Sequence, residues 1–344
     1  LLHGLSSHNV PSSGGRANPD FAIGLMIYPS TNIFKNVRRI LACASLMLVL
    51  HGCFTGVEST PKISYSDVKK ENITVTPEQK FLSDIAPQPP REWKAGKKFF
   101  VSDDKINIMF LPSSSGISES LAGKEITFHE MRPFLNVTGN EITEIEFISP
   151  TGKSLVYRDN TPWSNLSEKQ QLEVPFTIET SIVDSVYSQI MGKTLYANTP
   201  LWYTPDGSMA VNGLRYVELE VTDVKPGNEF YPLSVVFRPT DSERQFSMFM
   251  TIGNKPTSTR NFSTLFSFEN PRVKYSYISD EIWRLIVHSR VRKGMTREEC
   301  RLALGAPTTI GQRPAQGGMV EYWQYSDGIF LLFEDGGYLD YFRR

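Results

Sequence analysis

Short runs of β-branched and aromatic residues alternate with turn sequences through the middle of the chain, and this pattern limits the fold more than any other feature. Turn sequences such as Pro150-Thr151-Gly152 and Pro205-Asp206-Gly207 separate the runs, as expected for strands in small barrels or sandwiches. With 40% hydrophobic residues, the chain has enough apolar side chains for such cores. We predict strands at residues 105–111, 144–148, 155–157, 216–221, 233–237 and 246–252.

Two motifs recur in the same order within this β-rich region. Residues 121–126 (LAGKEI) are similar to residues 190–195 (IMGKTL), and residues 137–141 (VTGNE) are similar to residues 224–229 (VKPGNE). Their order predicts a duplicated module of roughly 80 residues; chance recurrence of common turn residues is the alternative. We therefore predict two β units, each an SH3-like barrel or a small sandwich, at residues 93–175 and 176–255.

The last part of the chain, residues 280–344, has the pattern of two helices followed by an antiparallel sheet. Apolar residues at positions 282, 283, 286 and 287 have helical spacing. Thr296 and Glu299 fit a capping box at the start of a second helix, and Gly305 followed by Pro307 predicts its end. The predicted fold class is α+β, mostly β: two small β units, a linker at residues 256–279 and this two-helix domain, with strands around residues 308–310, 320–325, 329–333 and 338–342.

Four motifs in this last part follow one another in the order and spacing of a known domain family. They are residues 294–299 (GMTREE), 304–307 (LGAP), 323–325 (WQY) and 332–336 (LFEDG), and together they resemble the BamE-like (SmpA/OmlA) domain of envelope lipoproteins. The resemblance implies two helices packed on one face of a small antiparallel sheet. BamE itself assists β-barrel assembly at the outer membrane, and the same small fold serves as a protein-binding module in other proteins. The resemblance covers under a fifth of the chain, so barrel assembly is not carried over to the whole protein.

The amino-terminal region contains the parts of a secretory signal. Lys35, Arg38 and Arg39 precede an apolar run at residues 40–50, and Cys53 follows shortly after it. A spanning helix needs about 20 apolar residues, whereas this run has eleven. We therefore interpret residues 35–52 as a signal peptide; a buried helix that happens to end in cysteine is the alternative. Residues 1–34 lack a periodic pattern and are expected to reflect a start codon assigned too early.

Residues 50–53 (LHGC) resemble the lipobox of bacterial lipoproteins. The resemblance implies that the Cys53 thiol carries a diacylglycerol and that the chain is held on a membrane by lipid. Residues 53–92 are polar and rich in proline, as expected for a tether. Residues 54–59 lack the acidic run that Bacteroidetes-type lipoproteins use for surface display, which favours the periplasmic face of the outer membrane.

No sequence pattern for catalysis stands out. His129 and His288 lie in different predicted domains without zinc-binding spacing, and no nucleophile motif is present. After lipidation of Cys53 and removal of residues 35–52, Cys300 is the remaining thiol. The 36 basic and 37 acidic residues give a net charge of -1, which makes nucleic acid an unexpected partner. We predict a protein that is not an enzyme and has no cofactor and no metal.

The remaining candidates for contact with a partner are aromatic residues. Trp202 and Tyr203 precede a turn, and Phe262 and Phe266 lie in the predicted linker; packing in a core is the alternative for all four. We predict an envelope lipoprotein that binds or scaffolds other envelope proteins, in outer-membrane assembly or maintenance. A glycan-binding lipoprotein is the first alternative, and a hydrolase with a site between domains is the second.

Overall fold

The structure, a computed structural model, describes residues 75–111, 119–253, 260–315, 318–334 and 336–344. Within these ranges, 16 strands form three antiparallel sheets, accompanied by eight α-helices. The predicted α+β, mostly β fold class is confirmed at this level. The expected signal peptide, the lipidation site at Cys53 and the first part of the expected tether lie outside the described residues.

The first described helix, α1 (Pro77–Lys80), begins with a capping box. The Thr76 side chain accepts a hydrogen bond from the amide of Gln79, and the Gln79 side chain accepts one from the amide of Thr76. Leu82 and Ile85 follow the helix and are buried in a core, where they lose contact with water. The prediction that the tether extends to residue 92 is therefore wrong, because folded structure already starts at this helix.

The first sheet contains five strands: β1 (Lys98–Val101), β2 (Glu125–Leu135), β3 (Glu141–Ile148), β4 (Ser154–Asp159) and β5 (Thr177–Glu179). Their order in the sheet is β4-β3-β2-β1-β5. A 3₁₀ turn at Pro90–Glu92 and the helices α2 (Ile106–Met109) and α3 (Trp163–Glu168) accompany it. Its core is aromatic, with Trp93, Phe99, Phe128 and Phe147 in contact.

The predicted strand at residues 105–111 is wrong, since helix α2 occupies this segment. The Asp103 carboxylate accepts a hydrogen bond from the amide of Lys105 and so favours a turn before the helix. The Asp104 carboxylate accepts hydrogen bonds from the amides of Leu121 and Ala122 at 2.6 and 2.8 Å. These contacts override the β-propensity of the isoleucines, of which Ile106 is buried.

Helix α4 (Thr180–Ile190) follows the first sheet and packs on the second. Its buried residues, Ile182, Val183, Val186 and Ile190, recur at helical spacing. The second sheet contains β6 (Thr194–Ala197), β7 (Leu201–Tyr203), β8 (Ala210–Asn212), β9 (Glu218–Pro226), β10 (Leu233–Pro239), β11 (Phe246–Met250) and β12 (Phe266–Ser267). Their order is β12-β6-β9-β10-β11-β7-β8.

The first recurring motif has the same turn geometry in both predicted β units. Gly123 and Gly192 both have positive φ and lie just before the strands β2 and β6. The second recurring motif falls in the β2–β3 and β9–β10 hairpins. However, the sheets have five and seven strands in different orders, so the SH3-like form of each unit stays a prediction.

The predicted linker at residues 256–279 contains folded elements, which corrects that prediction. Helix α5 (Phe262–Leu265) leads directly into β12, which pairs with β6. The core of the second sheet includes Phe262, Leu265 and Phe266, which share it with the buried residues of α4. Helix α6 (Pro271–Lys274) follows.

The carboxy-terminal sheet has helices on one face. Its elements are α7 (Asp280–Val287), α8 (Arg297–Leu304), β13 (Thr309–Ala315), β14 (Gly318–Gln324), β15 (Phe330–Phe333) and β16 (Leu339–Arg343). The strands follow one another in the sheet in chain order. The predicted capping box is confirmed: Thr296 accepts from the amide of Glu299, and Glu299 accepts from the amide of Thr296. Gly305, with φ of 86°, ends the helix.

A short segment between β8 and β9 joins the second sheet to the carboxy-terminal helices. The Arg215 amide donates to the carbonyl of Val287 at 3.0 Å, and the Arg215 guanidinium donates to the Ser289 hydroxyl. The Tyr216 hydroxyl donates to the carbonyl of Leu302. The Tyr216 ring also stacks on Trp283, with centroids 5.5 Å apart. These contacts attach α7 and α8 to the second sheet.

Candidate functional site

Trp202, one of the aromatic residues predicted to contact a partner, lies in the core of the second sheet. Its side chain is 3% exposed and packs against Phe237 and Phe246. The indole nitrogen donates to the carbonyl of Thr199, so its polar group is satisfied internally. The prediction that Trp202 contacts a partner is therefore wrong, because its ring is buried in the core.

Phe262 and Phe266 are also core residues, at 4% and 0% exposure. Phe262 packs against Phe81, with ring centroids 4.6 Å apart. Tyr203 is half-buried and packs edge-on against Phe249. The four predicted residues therefore do not form a binding face: three are buried, and Tyr203 alone reaches the surface.

The carboxy-terminal sheet exposes an apolar surface that the sequence reasoning missed. On the side away from the helices, Tyr322, Leu332 and Tyr341 lie directly opposite one another on β14, β15 and β16. Val320 and Phe330 extend this row along β14 and β15, since alternate residues of a strand share a face. We call these five residues the open face: Val320, Tyr322, Phe330, Leu332 and Tyr341.

The opposite face of the same sheet is closed. Trp323, Leu331, Phe333 and Leu339 are at most 1% exposed. They share a core with side chains of α7 and α8, among them Cys300. The closed face thus supplies the packing that holds the sheet together, and the open face is not needed for that core.

Two aromatic rings of the open face pack against each other and against a neighbouring strand. The Tyr322 and Phe330 rings stack, with centroids 5.7 Å apart and an interplanar angle of 20°. The Tyr322 ring lies over Gly311 on β13; a Cβ at Gly311 would come within 2.4 Å of this ring. Glycine at this position therefore allows the ring to rest against the backbone. Val320, Phe330 and Leu332 are half-buried, and Tyr341 is 51% exposed.

Two arginines add positive charge to the open face. Arg313 lies on β13 opposite Val320, and its guanidinium carbon is 6.0 Å from the centroid of Phe330. Arg343 lies on β16 opposite Phe330. Both side chains are exposed, and neither forms a salt bridge with a residue that the structure describes.

Arginines on the outer face of the first sheet have different surroundings from Arg313 and Arg343. There, Arg132 lies 3.3 Å from the Glu144 carboxylate and 3.4 Å from that of Glu146. Arg158 approaches Glu144 from the other side at 2.6 Å. Carboxylates on neighbouring strands thus neutralise Arg132 and Arg158, whereas no carboxylate in the described ranges pairs with Arg313 or Arg343.

One strand of the open face has an unusual sequence pattern. Residues 330–333 (FLLF) form a continuous apolar run on a strand. In an antiparallel sheet with one solvated face, apolar and polar residues should alternate. A continuous run therefore indicates that both faces meet apolar surroundings, and here helices cover only one of them.

The described residues offer little reactive chemistry. They contain no group of three or more His, Cys, Asp or Glu side chains placed to hold a metal ion. The His288 ring nitrogen Nδ1 lies 2.8 Å from the carbonyl of Arg284, and His129 is exposed. Burial raises the pKa of the Cys300 thiol to about 12, so this sulfur stays protonated and is a poor nucleophile near neutral pH.

None of the helices in the described ranges is long and apolar enough to cross a membrane. Comparisons of the chain with models of protein families, with curated proteins and with solved structures find no match.

Proposed function

We propose that this chain is a lipid-anchored protein of the bacterial envelope that binds other proteins through the open face of its carboxy-terminal sheet. The observation that carries the proposal is the aromatic surface made by Tyr322, Phe330 and Tyr341 on a sheet whose core lies entirely on its other side. Contiguous apolar surface on a folded protein marks a site of interaction. Aromatic residues are also enriched where proteins bind one another.

Two sequence features support the envelope part of the proposal. The apolar run at residues 40–50, followed by Cys53, is typical of an exported lipoprotein. The resemblance of residues 280–344 to BamE-like domains also favours a lipoprotein of the outer membrane. The packing of α7 and α8 on one face of a four-stranded antiparallel sheet is the arrangement that this resemblance implies. A role in outer-membrane assembly or maintenance would follow.

The alternatives have less support. Glycan binding was inferred from aromatic residues of the β units, and Trp202, Phe262 and Phe266 are buried. A hydrolase needs its reactive groups close together. His129 lies on β2 of the first sheet, whereas His288 follows α7 in the carboxy-terminal part of the chain. Protein binding is the function to which the open face contributes directly.

Site-specific photocrosslinking tests the proposal. A photoreactive amino acid is placed at Tyr341 in the full chain, expressed in intact cells, and a matched variant carries it at the exposed residue Lys153 between β3 and β4. We expect a discrete crosslinked protein at Tyr341 that Lys153 does not give. Equal crosslinking at both positions, or none at Tyr341, would contradict binding at the open face.

The lipid anchor has a separate test. Mass spectrometry of the protein from its membrane fraction should show that residues 35–52 are absent and that Cys53 carries acyl chains. A Cys53→Ser variant should leave the membrane fraction. An unmodified Cys53 in the native protein would contradict the envelope assignment. Binding at the open face would still be tested separately by the crosslinking experiment.

A further inference from the structure

We propose that the open face binds an acidic polypeptide segment in extended form, with apolar side chains at alternate positions and, on the same face, a carboxylate beyond each end of this apolar run. The inference rests on the proposed function, because it assigns a partner to the same surface. It follows from the spacing of the apolar side chains and from the two arginines, which form no salt bridge with a described residue.

The spacing of the open face suits an extended segment. Neighbouring strands lie about 4.8 Å apart, so the row from Gly311 through Tyr322 and Leu332 to Tyr341 spans about 14 Å. Alternate side chains of an extended chain are about 7 Å apart on one face. Two or three of them therefore cover the row, and their apolar groups meet the flat rings of Tyr322 and Phe330.

The positive charges of the two arginines favour a partner with negatively charged side chains. Arg313 and Arg343 lie on opposite edge strands of the sheet, β13 and β16. The apolar row lies between them. Carboxylates on either side of the apolar residues of a bound segment would reach one guanidinium each. Such hydrogen bonds between ionised groups are about twice as strong as neutral ones, and complementary charge gives specificity as well as faster association.

A second copy of this chain fits less well. An isologous contact between two open faces would bring two copies of Arg313 and two of Arg343 into one interface. None of these guanidinium groups has a carboxylate partner on its own chain among the described residues. Burial of unpaired like charges disfavours association, so the occupant should carry the opposite charge.

A lipid surface also fits less well. Side chains that enter a membrane need to project into it. Tyr322 instead lies against the Gly311 backbone, and Phe330 is stacked on Tyr322. These flat rings match a polypeptide that packs across the strands more closely than they match a bilayer.

Two labelled peptides of equal length test the inference on the full, detergent-solubilised chain. Both carry leucine and phenylalanine at alternate positions with serine between them; at each end, on the same face as the apolar residues, one peptide has glutamate and the other has lysine. In fluorescence anisotropy, we expect the glutamate peptide to bind at least tenfold more tightly. Its affinity should fall at higher salt, because salt screens exposed charges.

Charge-reversal variants make the test specific to the open face. The double variant R313E/R343E should abolish or reverse the preference for glutamate. The matched control is R244E/R290E, which changes the net charge equally at two exposed arginines away from this face. It should keep the preference. Circular dichroism of both variants checks that they fold alike.

The outcomes separate this inference from the proposed function. Equal affinity for the two peptides, no binding of the glutamate peptide, or a preference that survives R313E/R343E would overturn the acidic segment. Tighter binding of a single-stranded oligonucleotide or of anionic vesicles, lost in R313E/R343E, would overturn it too and assign the face to that ligand. If crosslinking at Tyr341 persists in R313E/R343E, the face binds a protein of different chemistry and the proposed function stands.

Discussion

The ammonium group of Lys97 lies 2.7 Å from the carboxylate of Glu179, and both side chains are only 7% exposed. Lys97 also donates to the side-chain oxygen of Gln88, so it links the segment after α1 to the end of β5. The Glu179 atom Oε2 accepts from Lys97, whereas the buried Oε1 has no hydrogen-bond partner among the described residues. Glu179 thus depends on Lys97 to balance its charge.

Removal of one partner of this pair should be costly. We expect Lys97→Met to destabilise the chain by about 3–5 kcal/mol, because it leaves a buried carboxylate without a counter-charge. The double variant Lys97→Met/Glu179→Leu should recover much of this loss, since neither charge remains. Urea unfolding followed by circular dichroism measures both. Additive effects of the two single substitutions would show that the groups do not interact.

The capping box of α8 gives a second, smaller prediction. Thr296→Ala removes the oxygen that accepts from the Glu299 amide and should lower the free energy of unfolding by about 1 kcal/mol. Thr296→Ser retains the hydroxyl and is the matched control. A thermal unfolding curve for each variant provides the measurement. A Thr296→Ser variant as unstable as Thr296→Ala would mean that the methyl group, and not the cap, matters.

The sequence predicts local features of the fold well. The predicted capping box of α8 depends on Thr296 and Glu299, which are three positions apart. The predicted strands at residues 144–148 and 233–237 are bounded by turn sequences and fall within β3 and β10. In each case the interacting groups are close in the chain, so no knowledge of the tertiary structure is needed.

The candidate site could not be predicted in the same way. Trp202 stands just before a turn sequence, which suggested exposure, but Gly213 on a later segment makes room for its ring in the core. The exposure of Tyr322 depends on which face of the sheet α7 and α8 cover. Both facts concern segments distant in sequence, and hydrophobicity alone does not distinguish a buried face from an open one.

The buried thiol of Cys300 leads to a prediction about pH. Burial raises its pKa from 9.0 to about 12 in the folded chain. The folded state therefore retains a proton that the unfolded state loses above about pH 9, and stability falls as pH rises through this window. The added slope is at most about 1.4 kcal/mol per pH unit. Cys300→Ala should show a shallower decline between pH 9 and 12 in urea unfolding.

Alkylation gives an independent measure of the same thiol. At mildly alkaline pH, iodoacetamide should leave Cys300 unmodified in the folded chain and modify it after denaturation, because the thiolate is the reactive form. Peptide mapping by mass spectrometry reads the modification at this residue alone. Rapid modification of Cys300 in the folded chain would contradict its burial.

Two glycines that face aromatic rings should respond differently to the same substitution. A Cβ at Gly213 would lie 2.0 Å from the Trp202 ring, which Phe237 and Phe246 hold on other sides. Because this ring has no space to move, Gly213→Ala should cost about 3 kcal/mol of unfolding free energy through overpacking.

Gly311→Ala should be milder and should affect binding more than stability. The Tyr322 ring above Gly311 is half-buried and can swing into solvent, at the loss of its stack on Phe330. We expect a stability loss of about 0.5–1.5 kcal/mol together with weaker binding of the glutamate peptide. Gly213→Ala, where it folds, should leave that binding unchanged, because Trp202 lies in another core. If Gly311→Ala binds the peptide as tightly as the unmodified chain, the flat position of the Tyr322 ring is not needed for recognition.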